Sequence, residues 1–136
     1  MNADNMWNEA AKWLRYAKED LDAAESLLRD DATPRHICFM AQQSAEKAIK
    51  SVFVLLQIDF PRTHDLDALK SLLPTEWSSR LKSIDLAELS EWAVESRYPG
   101  NWPEATSMDA SQACQQGRAV YGLIADAFSG MGYALP

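Results

Sequence analysis

Residues Ala41 to Leu73 read AQQSAEKAIKSVFVLLQIDFPRTHDLDALKSLL, which is a long helix, a proline-containing turn and a second helix. At about 3.6 residues per turn, Ile37, Ala41, Ala45, Ala48, Val52 and Leu55 fall on one side, with Cys38, Ile49 and Leu56 beside them. Gln43, Glu46, Lys47 and Lys50 fall opposite, and Glu46 and Lys50, at i and i+4 in the favourable order, are expected to pair on the surface. Phe60-Pro61 ends the run, since a residue before proline is pushed out of the helical region. Thr63 is placed to cap a new helix starting near His64, which puts Arg62 and His64 at a helix N-terminus, where unpaired N–H groups favour anions.

Working outward, a first helix is expected over Asn5–Arg29, its inner face formed by Met6, Ala10, Leu14, Ala17, Leu21, Ala24 and Leu28. Ala10, Ala17 and Ala24 recur every seven residues and let a neighbouring helix approach closely. Thr33-Pro34 starts the second helix after a short connection, so the two form an antiparallel hairpin. Toward its end this helix turns apolar on most sides through Phe53 and Val54, surface that the bundle or a second copy of the chain must cover.

A short helix follows over Asp65–Leu73, stopped by Pro74, and a helical piece lies around Trp77–Lys82. The next helix spans Ile84–Ser96 with Leu86, Leu89 and Ala93 inward, and stops at Arg97-Tyr98-Pro99-Gly100. Ser107 or Asp109 opens the last helix, striped by Ala110, Cys114, Gly117, Tyr121, Ile124 and Phe128. No alternating strand pattern occurs. The expected fold is all-α, an up-and-down bundle of four principal helices plus one or two short ones, in one domain over residues 1–136 with loose ends at 1–4 and 130–136.

Composition narrows the function. A net charge of −7 argues against a free-standing nucleic-acid binder, because phosphate affinity needs clustered Lys and Arg. Two distant cysteines, Cys38 and Cys114, sit on apolar faces and indicate neither a disulfide framework nor a metal site. No signal-peptide pattern or membrane-length apolar run is present, so no membrane association and a cytoplasmic location are expected. Five tryptophans serve either the core or an interface. No cofactor motif, Walker loop or GxSxG stands out.

QQSAEKAIK, PRTHDLDALKSLL and ESRYPGNW together resemble the HEPN domain family, small prokaryotic helical proteins often encoded beside minimal nucleotidyltransferases. The resemblance spans most of the chain and implies the same helical bundle. It also implies a homodimer partnering a nucleotidyltransferase, in a toxin–antitoxin pair, that binds a nucleotide, a phosphate or RNA. Gln43, Lys47, Lys50, Arg62, His64, Arg97 and Tyr98 are the candidate phosphate-binding set.

Each candidate has a plainer role. The helix-2 polar arc also fits a solvated face, and His64 also fits a residue that satisfies backbone groups in its turn. Arg97 suits a helix C-terminus, while Tyr98 packs the turn or stacks on a base. Many HEPN relatives are metal-independent ribonucleases marked by Arg, four to six residues, then His, late in the domain. This chain departs from that pattern: no histidine follows His64, and Arg29 and His36 straddle the break between the first two helices. The alternatives are therefore a ribonuclease built on His64 with Arg62 or Arg97, and a dimeric scaffold.

Overall fold

A computed structural model describes residues 2–136 and is built from α1 (Ala3–Arg29), α2 (Pro34–Leu56), α3 (Leu66–Leu72), α4 (Thr75–Ser78), α5 (Leu86–Glu95) and α6 (Ser107–Gly130), with a single 3₁₀ turn at Ser79–Leu81. Four principal helices and two short ones form the expected all-α bundle, and the described residues contain no strand.

The alanine seam of α1 does what its spacing implies. Ala10, Ala17 and Ala24 are fully buried, as are Ala41, Ala45 and Ala48 of α2. The helices come close enough for the Ser44 hydroxyl to donate to the Ala17 carbonyl at 2.7 Å. Helix α2 is the central element, packing on α1, α6, α5 and α3. On its α6 side, a Cβ added to Gly117 would stand 3.0 Å from the Ala41 carbonyl oxygen, so this glycine sets how near α6 lies.

Several boundaries differ from expectation. Helix α2 stops at Leu56, because Gln57 adopts a left-handed conformation (φ 55°) and returns its N–H to Phe53 and Val54 carbonyls. The stop therefore precedes Phe60-Pro61, and the connector folds back. Phe60 packs on Phe53, Trp13 and Lys50, which covers the apolar end of α2 within the chain. Asp65, not Thr63, caps α3, accepting from the Asp67 and Ala68 amides; Thr63 accepts from Asp65 N–H instead.

Contacts are made at both ends of the chain. Asn2 caps α1, which begins at Ala3, while Met1 lies outside the described residues. Beyond Gly130, Tyr133 stacks on Trp7 with ring centroids 4.4 Å apart and meets Phe128 edge-on. Trp77 and Trp92 are buried, and Trp7 and Trp13 pack in aromatic clusters, so core packing accounts for these four tryptophans.

No helix among the described residues is long and apolar enough to cross a membrane, and no group of His, Cys, Asp or Glu is arranged to hold a metal. Burial pushes the Cys38 thiol up to about 12 and Cys114 to about 11, so neither supplies a thiolate near neutral pH.

Candidate functional site

The expected polar arc of α2 divides into two. Glu46 and Lys50, anticipated as a surface pair, are buried at 5% and 9% exposure, because the 57–65 connector closes over that part of α2. Lys50 Nζ donates to Glu46 Oε2 at 2.9 Å. Glu46 Oε1 receives Gln42 Nε2 at 3.2 Å and lies 2.8 Å from His64 Nδ1. Gln42 Nε2 also reaches the His64 carbonyl at 3.1 Å, so both the backbone and the ring of His64 are held to α2. Burial alone pushes the Glu46 carboxyl up, but hydrogen bonds from Lys50, His64 and Gln42 outweigh it and leave the acid below the usual carboxylate range.

Gln43 reaches this group only through Gln42, and Lys47 does not join it. Gln43 donates to the Gln42 side-chain oxygen at 2.8 Å, and Lys47 pairs with Asp20 of α1 at 2.5 Å. Lys47 is therefore a tie between the first two helices.

Arg62 and His64 line one cleft of about 560 Å³ between the connector and α5, shared with Thr63, Asp65, Ser90 and Glu91. Ser90 fixes its floor, accepting from Leu66 N–H at 2.8 Å while donating to the Leu86 carbonyl. Arg97 and Tyr98 line a different cleft of about 480 Å³, together with Arg35 and Trp102. The candidate phosphate-binding set thus separates into a His64 side and an Arg97 side.

The second cleft is built from the C-terminal end of α5 and the first turns of α2. The Arg97 guanidinium lies 5.5 Å from the Phe39 ring centroid and 5.3 Å from that of Tyr98. Arg35 Nη1 donates to the Ser96 carbonyl at 3.3 Å, bringing a second cation to the rim. Among the described residues neither arginine has a carboxylate within ion-pair distance. Trp102 donates its indole N–H to the Glu95 carbonyl, and its ring lies over Gly100, where an added Cβ would collide at 2.5 Å. Glycine at this position is what lets the indole fold onto the turn.

Gln42, Arg35, Phe39 and Trp102 escaped the sequence reading. Arg35 and Phe39 are four apart on one face of α2, a spacing visible in the sequence, but nothing local says that Arg97 faces them.

The HEPN domain model matches residues 10–127. Among solved structures, the crystal structure of TT1696 from Thermus thermophilus superimposes with a TM-score of 0.70 at 22% identity, covering 88% of this chain and 98% of that one. ST0689, an archaeal HEPN homologue, gives 0.67 at 22% identity, covering 87% and 96%. At this identity the likeness carries the fold. A comparison with curated proteins returned no match.

Proposed function

The chain belongs to the HEPN domain family, and from that premise we propose that it is a non-catalytic HEPN module that binds a nucleotide through its phosphate in the Arg35–Arg97 cleft. It works as a homodimer with a minimal nucleotidyltransferase, in a toxin–antitoxin pair. One observation carries the ligand assignment: two guanidinium groups, neither within ion-pair distance of the Glu95 and Glu104 carboxylates that share the lining, flank a cleft whose walls include Tyr98, 54% exposed, and the indole of Trp102. A guanidinium fork matches phosphate oxygens, and an exposed aromatic face accepts a base. Holding Arg97 between two rings also reduces the side-chain freedom lost on binding.

The net charge of −7 fits the same reading, since attraction to phosphate must then be local. Family membership supports the dimer and the partner. Tyr98 and Val94, more than half exposed at the same end of α5, add apolar surface that an assembly would cover.

The test is a thermal-shift and calorimetric titration with AMP, ADP, ATP and inorganic phosphate at low salt. Binding should raise the melting temperature with ligand concentration, about 2.7 kcal/mol of added stability at one hundred times Kd. Arg97→Ala should abolish the shift and Arg35→Ala should weaken it, with the apo melting temperature of each variant near wild type. No response to any of these ligands would remove the nucleotide reading. Sedimentation showing a monomer at micromolar concentration would remove the dimer, and failure to copurify with a coexpressed neighbouring nucleotidyltransferase would remove the partnership.

A further inference from the structure

His64 has a feature that nucleotide binding in the other cleft does not use. Its Nδ1 is 2.8 Å from Glu46 Oε1. Glu46 is buried, with its second oxygen taken by Lys50. A carboxylate held in its ionised form accepts hydrogen bonds and does not donate them, so the proton between the two residues belongs to Nδ1. The free lone pair is then on Nε2. The carboxylate fixes the tautomer and the ring plane, as carboxylates behind metal-bound histidines do.

The ring is anchored at one edge and open at the other: the Glu46 side chain is 6% exposed and the His64 side chain 54%. It lines a cleft of about 560 Å³ with Arg62. The other charged groups there are Asp65, Asp67 and Glu91. Asp65 accepts from two backbone amides as the α3 cap, which offsets part of its charge. The cleft's lining holds no second histidine, lysine, cysteine or tyrosine, and the groups there able to share acid–base work with His64 are the carboxylates Asp65, Asp67 and Glu91. A covalent acceptor needs only a lone pair and a nearby cation for the incoming oxygens.

From this geometry we infer that His64 Nε2 is a phosphoryl acceptor, with Glu46 as its positioning residue and Arg62 as the cation facing the transferred group. The donor is a small molecule with an activated P–N or acyl-phosphate bond. The Nε2 lone pair attacks phosphorus while the bond from phosphorus to the leaving group breaks, and that electron pair departs on ammonia or on a carboxylate. The Nδ1 proton stays between His64 and Glu46, whose negative charge offsets the positive charge developed on the ring. Nothing is oxidised or reduced. This site is separate from the arginine cleft, and the inference stands without the nucleotide reading.

The chain contains its own control, because His36, exposed in the first turn of α2, has no carboxylate within ion-pair distance among the described residues. Full-length protein is incubated with potassium phosphoramidate, and in a parallel arm with acetyl phosphate. Modified sites are located by mass spectrometry, and the isomer is assigned by phosphorus NMR. His64 should be labelled at least tenfold faster than His36, on Nε2 and not Nδ1, by one or both donors. His64→Asn should lose that label, and Glu46→Gln, verified as folded by circular dichroism, should lose the isomer preference. Equal labelling of His36 and His64, labelling on Nδ1, or no labelling by either donor would overturn the inference. The wild-type ratio and isomer decide this even if the Glu46 variant fails to fold.

Discussion

Replacing Glu46 by leucine would strip the buried network of its only anion and leave Lys50, whose side chain is 11% exposed, without its partner. Removing one member of a buried pair generally costs about 3–5 kcal/mol. The lower end, about 3 kcal/mol, applies here because a lysine stem this close to the surface can swing its ammonium toward water. Against a total of roughly 7–20 kcal/mol for a chain of this size, the loss should be plain in a urea titration as a lower midpoint with unchanged slope. Adding Lys50→Met should recover most of it, since replacing both ions of a buried pair by apolar groups is often neutral or better. The cycle should therefore show a coupling of about 2 kcal/mol or more. Acidity gives a second readout. The folded Glu46 carboxyl is lowered, so its contribution is fully present above the ordinary glutamate range and disappears as pH falls through the folded value. The double variant should approach wild-type stability in acid. If Glu46→Leu alone costs less than about 1 kcal/mol at neutral pH, Glu46 does not organise the connector.

Gly117→Val should destabilise by about 1–3 kcal/mol, because its Cβ meets the Ala41 carbonyl and forces α6 outward; an unchanged melting temperature would contradict that close approach. Cys38 and Cys114 should resist a thiol reagent at pH 8 in the folded protein and react fully in denaturant, and rapid native labelling would disprove their burial. RNA incubated in EDTA should survive equally with wild type and His64→Asn, whereas cleavage that only the variant loses would favour a ribonuclease over the proposed binding module.

The stripes of α1, α2 and α6, the alanine seam and the stops at Pro74 and Pro99-Gly100 were all legible in the order of residues. Helical periodicity, caps and breakers act within a few residues and are written in order along the chain. The same local logic misplaced the end of α2, because Gln57 adopts a left-handed conformation that its residue type does not announce, and it chose Thr63 over Asp65 as a cap when both were chemically suitable. The fate of the polar arc could not be read at all. Whether Glu46 faces water or protein depends on where a nine-residue connector comes to rest, and Phe60 of that connector packs on Phe53 nearby and on Trp13 from far along the chain. Likewise, Arg97 stands with Arg35 and apart from His64 because α5 packs across α2 at a particular height. Patterns along a chain specify which face of a helix is apolar; the rotation and offset between packed helices, set by side chains distant in sequence, determine which charged groups share a cavity.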